Sequence, residues 1–193
     1  LTENTTFSMQ DIRLIPYGKP NNEYRIHVPS VLMTGIDLKK LLKESYYSGH
    51  EIVINRPEID LKLTSGRQEK LTSLDLGFIP ILLRNRFLGA KSDLFQIKNG
   101  VINVHQKTDN DSLLFECDDI NLDVLQFEVD SITEMLPERF LFANDIKLEG
   151  DYISAYQPKN GAFVSINHFH ISTMEQDLKF EGIYYTSNTT GQA

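Results

Sequence analysis

The sequence predicts a mainly β protein: a twisted, bulged antiparallel sheet of recurring strand units, with two or three short helices between them. Three observations carry the prediction. Short runs place apolar residues two apart, as a half-buried strand requires. The same break in that phase recurs along the chain. Two further runs match each other at a constant offset of 43 residues, 52 to 95 and 61 to 104.

The first kind of unit has apolar gaps of two, three and two. It occurs at Phe7, Met9, Ile12 and Leu14, at Phe115, Cys117, Ile120 and Leu122, and at Leu141, Ala143, Ile146 and Leu148. A gap of three would turn the second pair to the opposite face of a regular strand. One extra residue, a β-bulge, returns it to the first face. An aspartate precedes the second pair each time (Asp11, Asp119, Asp145). Aspartate suits irregular backbone, where its carboxylate accepts local N–H bonds, so all three are expected to be structural bulge residues.

The second kind of unit has gaps of two, five and two. It comprises Ile52, Ile54, Ile59 and Leu61, and then Phe95, Ile97, Ile102 and Val104. Arg56-Pro57 breaks the first copy and Asn99-Gly100 the second, both turn or bulge dipeptides. The recurring units thus fall near 7–14, 52–61, 95–104, 115–122 and 141–148. They organise residues 1–193 as a single β-rich domain or as a fragment of a longer repeat protein.

Short helical patterns precede the second units. Leu38, Leu41 and Leu42 share a helical face behind a capping Asp37, and residues 79–88 form the counterpart, with Pro80 near the start and Gly89 as the stop. A third helix is expected through Ile132, Met135 and Leu136, ended by Pro137. Further strands are expected at 24–28, 31–36, 163–171 and around 178–185, with turns at 18–22 and 107–111.

Composition bounds the function. Hydrophobic residues at 40% and charged residues at 24% suit an ordered domain rather than a disordered one. The formal charge is −8 and no Lys/Arg cluster is longer than two residues, so nucleic acid and a polybasic membrane contact are not expected. No stretch is long and apolar enough for a membrane helix. The chain opens on Leu1, so an internal or mature fragment is expected, with any membrane-associating segment outside it.

Little in the sequence points to chemistry. Cys117 sits among Glu116, Asp118 and Asp119, which oppose thiolate formation, and reads as a small core residue. His168 and His170 could share a strand face and clasp a metal, but no third ligand is evident beside them. Asp109-Asn110-Asp111 lacks the later Gly and Glu of a calcium loop. Asp118 and Asp119 are adjacent and would face opposite ways. No nucleophile elbow, phosphate loop or dinucleotide fingerprint occurs. No catalytic, cofactor-binding or metal-binding residue is assigned, no cofactor is expected, and the reading is of a protein that is not an enzyme.

The text VPSVLMTGIDLKKLL (28–42), with EIVINRPEIDL (51–61) and FQIKNGVINV (95–104), resembles the AsmA-like and TamB-like bacterial envelope proteins. In that family a short helix leads into a strand and then an x-Pro-x-Ile-x-Leu strand. The resemblance covers most of residues 7–185 and rests on hydropathy and unit order. It implies a repeating β-groove in the periplasm, tethered by a membrane helix that this sequence lacks, which shields acyl chains of lipids crossing the envelope. The expected function is therefore a non-enzymatic lipid-handling or scaffold segment in outer-membrane biogenesis, with acyl chains or envelope proteins as partners. The alternative is a secreted or surface module that binds glycan or protein through Tyr17, Tyr24, Tyr46 and Tyr47.

Overall fold

The computed structural model describes residues 5–14, 23–64, 89–107, 112–129, 143, 145–157 and 161–187. Its elements are β1 (Thr6–Leu14), β2 (Glu23–Thr34), α1 (Leu38–Glu44), β3 (Tyr46–Asn55), β4 (Glu58–Thr64) and β5 (Gly89–Lys107). Then follow β6 (Ser112–Val129), β7 (Asp145–Gln157), β8 (Ala162–Ser172), β9 (Asp177–Glu181) and β10 (Tyr184–Thr186). All ten strands belong to one sheet. The path across it is β1, β2, β3, β5, β6, β7, β8 and β10, with β4 continuing the position of β3, and β9 sharing that of β10. The fold is β-rich, as expected.

The sheet is mixed rather than antiparallel. β3 and β4 both run parallel to β5, with partners 43 residues apart from Tyr46↔Gly89 to Thr64↔Lys107. The repeat offset in the sequence is therefore a pairing register: the two copies of the second unit lie side by side. Parallel neighbours need a long crossover connection, which residues 65–88 are long enough to supply.

Six of the eight strand positions take a positive φ at the same level, and β2 and β8 cross it at Pro29 and Asn167 without one. Positive φ occurs at Asp11, Arg56, Asn99, Asp119 and Tyr152, and at Gly182 between β9 and β10. Continuing the pairing registers aligns Asp11 with Pro29, Pro29 with Arg56, and Arg56 with Asn99. On the far side, Tyr152 aligns with Asn167 and Asn167 with Gly182. The result is a crease running across the whole sheet. Backbone bonds bridge it where the ladder is interrupted: Arg56 N donates to Lys98 O (2.7 Å) and Val101 N to Pro57 O (2.8 Å). On β6, Asn121 Oδ1 accepts from Asn99 N (3.1 Å) and its Nδ2 donates to Asp119 O (2.8 Å).

The crease folds toward the apolar face. Asp11, Arg56, Asn99, Asp119, Tyr152 and Asn167 are exposed at the corner, whereas Pro57, Gly100, Gly150 and Phe169 are buried beneath it. Apolar residues from both limbs meet in one cluster: Met9 with Ile12, and Val31 with Val28. The extra residue changes sides midway. Ile97 and Gly100, three apart, face Leu122 and Ile120, two apart. Gly100 and Ile102, two apart, then face Ile120 and Cys117, three apart. The offsets cancel, so the limbs stay in register.

Both kinds of sequence unit therefore make one structure. The gap of five in the second kind is the same three-plus-two step, with Pro57 or Gly100 on the middle rung. Asp119 holds the bulge role expected of it, whereas Asp11 takes a positive φ but faces Pro29 one for one, with no shift of register. Asp145 does neither. It has no positive φ and pairs with Leu125 inside the ladder. The phase break near it matches a second crease instead, at Gly35, His50, Asp93 and Gln126, with Gly35 and Gln126 at positive φ. Beneath that crease lie Ile36, Ser92, Phe127 and Ala143, all buried. Between the two creases sits the core, with Val31, Ile52, Val124 and Ile146, and Tyr47 joins it from beyond the second crease. Phe95 and Phe127 stack there at 5.5 Å.

Only one of the expected helices falls in the described part. α1 starts at Asp37, whose Oδ1 accepts from Lys40 N (3.0 Å), and it seats Leu41 on the core. The helices expected at 79–88 and 132–137, the turn at 18–22 and most of that at 107–111 lie outside the described residues, as does Leu141. The strands expected at 24–28 and 31–36 are one strand, β2, because Pro29 falls on the crease where the regular ladder is interrupted. The last expected strand is two, β9 and β10, split at Gly182.

Gly150 has no room for a side chain: a Cβ there would lie 2.3 Å from the Phe169 ring. Gly150→Ala is expected to lower the urea midpoint by about 1–3 kcal/mol equivalent, and by less in a Phe169→Leu background. At the corner, Asp119→Gly is expected to be near neutral and Asp119→Val to cost about 1–2 kcal/mol in the same measurement, since only the second adds a β-branched side chain at positive φ.

Candidate functional site

Below the crease, apolar residues line up across the sheet. One ladder runs Leu14, Ile26, Ile59, Ile102, Cys117, Ile153 and Ile166, each opposite the next. The next rung runs Tyr24, Leu61, Val104, Phe115, Ala155, Val164 and Tyr185. Above the crease, Met9, Val31, Ile54, Ile97, Leu122, Leu148, Ile171 and Leu178 form a third. The crease rung joins them on the same face. Together they line an apolar trough.

Backbone contacts between described elements run between sheet neighbours and from α1 to β3. On the lower ladders Ile26, Ile59, Leu61, Ile102, Phe115, Ile153, Val164 and Ile166 are half-buried, whereas Val104 and Cys117 at the middle of the sheet are buried. Among the described residues only Ser92 has a side chain fully removed from solvent, whereas a sealed sandwich would bury large apolar groups that completely. At the ends of the sheet, Phe7, Leu14, Tyr24, Leu178, Ile183 and Tyr185 are exposed.

Dimensions decide what could lie there. Eight strand positions at roughly 4.8 Å spacing make a floor about 34 Å long. One leaflet of a bilayer has about 15 Å of hydrocarbon, half the full core. An acyl chain laid along the trough would thus be covered over its length, and each buried methylene is worth about 0.8 kcal/mol. Exposed apolar area on this scale marks interaction surfaces.

The opposite face of the sheet is mostly polar and cross-linked between strands, with Leu32, Val53, Leu94 and Leu125 as an apolar patch on it. His27 Nε2 lies 3.1 Å from Asp11, His50 Nδ1 2.8 Å from Asp93, and His168 Nδ1 2.7 Å from Asp151. Asn103 donates to Asp60 (3.2 Å) and Gln96 to Asp123 (2.8 Å). The two faces therefore differ in kind.

The residues singled out in the sequence separate accordingly. Cys117 is buried within a trough ladder. Burial, reinforced by the Asp118 charge, pushes its thiol up to about 11. His168 and His170 do share a face, but they pair with different carboxylates, Asp151 and Glu149. Asp118 pairs with Asp151 across the strands, while Asp119 points outward at the corner. Asp109, Asn110 and Asp111 lie outside the described residues, as does Tyr17. Of the proposed aromatic contacts, Tyr24 is exposed, Tyr46 is half-buried beside Glu128, and Tyr47 is buried in the core, which removes it as a contact residue. The other exposed aromatics among the described residues are Phe7, Tyr152, Tyr156, Phe180, Tyr184 and Tyr185. The trough itself was visible in sequence only as runs; their joining into ladders needed the pairing.

No protein-family model matches the chain, and no curated protein matches it significantly.

The Cys117 thiol should resist alkylation. Iodoacetamide labelling at pH 8 is expected to be about 100-fold slower in the folded protein than in urea, because far less thiolate is present. The raised value also fixes a sign. The folded state keeps its proton where the unfolded chain has lost it, so stability is intact below about pH 8.5 and falls as the pH rises through about 11. Tyr47, pushed up to about 12 by burial, extends the decline. A denaturation midpoint followed from pH 8 to 11.5 checks this.

Proposed function

We propose that this chain is a non-enzymatic, lipid-handling segment of a bacterial cell-envelope protein of the AsmA-like type. Its trough takes acyl chains along the strand-to-strand direction and shields them from water during movement between membranes. One observation carries the reading: apolar ladders continue across all or nearly all of the strand positions, and most of their side chains below the crease are only half-buried. The residues that resemble the family, 28–42, 51–61 and 95–104, build the centre of that trough and its crease. Attachment to the membrane and a periplasmic location belong to the same proposal, with the anchor outside this chain.

A one-layer groove suits such a task for a physical reason. A sealed core would have to open to admit lipid, at the cost of exposing its packed residues. A creased sheet presents a half-buried floor at all times, and the lipid supplies the second layer. Interdigitation is weak, so lipid can slide along the ladders rather than lock in a pocket.

Photo-crosslinking tests this directly. A photoreactive residue at Ile59 or Leu61, on the floor, is expected to form adducts with phospholipid acyl chains in cells. The same residue at Glu58 or Asp60, on the polar face, is expected not to. Absence of lipid adducts at every floor position, together with no lipid in solvent extracts of the purified protein, would reject the proposal.

A further inference from the structure

We propose that the hairpin between β8 and β9 binds a divalent transition-metal ion, Zn²⁺ fitting best, through His170 Nε2 and the carboxylates of Glu175 and Asp177. One ligand atom from each of the three lies within 4.8 Å of the other two. The site is on the polar side of the sheet and does not depend on the lipid reading.

The state of His170 is the main argument. Its side chain is 12% exposed. Nδ1 lies 2.8 Å from Glu149 Oε1, which occupies that nitrogen with a hydrogen bond. Nε2 is buried and has no hydrogen-bond partner among the described residues. Glu175 Oε2 is 3.6 Å away, too long for a hydrogen bond. A buried ring nitrogen left without a hydrogen-bond partner is costly as it stands. A cation placed between it and the two carboxylates removes that cost. A carboxylate holding the far nitrogen of the ring is also how metal-ligating histidines are oriented.

The turn is pre-shaped for this. Thr173 N donates to Ile146 O (2.9 Å), and Thr173 Oγ1 accepts from Ile146 N (2.8 Å), which fasten the turn to β7. Ser172 Oγ accepts from Glu175 N (3.1 Å). Gln176 takes a positive φ, which sends the chain back so that Asp177 pairs with Ser172. The ligands thus come from five and seven residues beyond His170, across a tight turn.

Charge and ligand type choose the ion. Glu149, Glu175 and Asp177 contribute three negative charges. Lys147, 3.0 Å from Glu149, and Lys179, which pairs with Asp177, contribute two positive ones. The cluster keeps one net negative charge with a neutral imidazole. Lys179 is exposed and free to swing away as a cation enters. An imidazole ligand favours zinc over calcium or magnesium, which prefer all-oxygen shells.

Isothermal titration of untagged, chelator-stripped protein with ZnCl₂ tests the site. One saturable site is expected, with affinity lowered about ten-fold or more in His170→Ala and in Glu175→Gln. Glu175→Gln leaves the His170–Glu149 bond intact, so its loss of binding would not reflect unfolding. His168→Ala should bind as the parent does. In nitrogen-15 spectra the His170 Nε2 resonance is expected to move on Zn²⁺ addition. No saturable binding, undiminished binding in both ligand variants, or an Nε2 that stays protonated in the presence of Zn²⁺ would overturn the proposal. The last result would make the cluster a plain imidazolium ion pair.

Discussion

The structure depends on one constraint: each strand position must supply its irregular residue at the level where its neighbours supply theirs. A non-glycine residue at positive φ costs about 1–2 kcal/mol, less for aspartate and asparagine. Asp11, Asn99, Asp119 and Gly182 are residue types that tolerate it, whereas Arg56 and Tyr152 are not. Such residues persist only where the surroundings over-determine them. Here the surroundings are the neighbouring strands. A strand without its extra residue would turn the apolar side chains of one limb to the polar face. The crease is thus a property of the whole sheet, held by every rung above and below it.

The crease also explains which small residues matter. A sheet folded toward its apolar face crowds the inner side of the bend. Gly100 sits there with Pro57, Ile97 and Ile120 around it, and Gly150 lies directly under Phe169. Small and large residues alternate along this rung, so the large ones fill space that the glycines vacate. The corner residues face outward, and among them Gly182 is held small by Asn167, whose Nδ2 would lie 2.3 Å from an added Cβ.

Most of this was legible in the gaps between apolar residues. The step of three reports a break in the strand, and aspartate beside it reports irregular backbone, so the positive-φ turn at Asp11 and the bulge at Asp119 could be found without coordinates. Two things could not. Apolar spacing does not say which strands are neighbours, so parallel pairing of β3 and β4 with β5 was invisible even though its register stood in the sequence as an offset. Nor does it say at what level a break lies. The step before Ile146 looks like the others and belongs to a different crease. Of the trough, the individual rungs were visible and their union was not. The His170 cluster was hidden for a related reason: a strand pattern shows His168 and His170 side by side, whereas the fold separates their partners and brings Glu175 and Asp177 back through a turn.

Parallel pairing of two similar units poses a problem that this sequence has solved. Residues 43 apart become lateral neighbours, so a faithful repeat would place identical charges side by side, which is destabilising. The two copies differ at those places. His50 faces Asp93 at 2.8 Å, and Asp60 faces Asn103, which donates to it. Glu58 lies beside Val101 and Glu51 beside Leu94. The apolar positions, by contrast, keep their character: Ile52 with Phe95, Ile54 with Ile97, Ile59 with Ile102, Leu61 with Val104. Like apolar neighbours attract and like charges repel. Divergence confined to the polar face is therefore what a stacked repeat requires, and the trough floor is the part of the unit that the pairing leaves free to repeat.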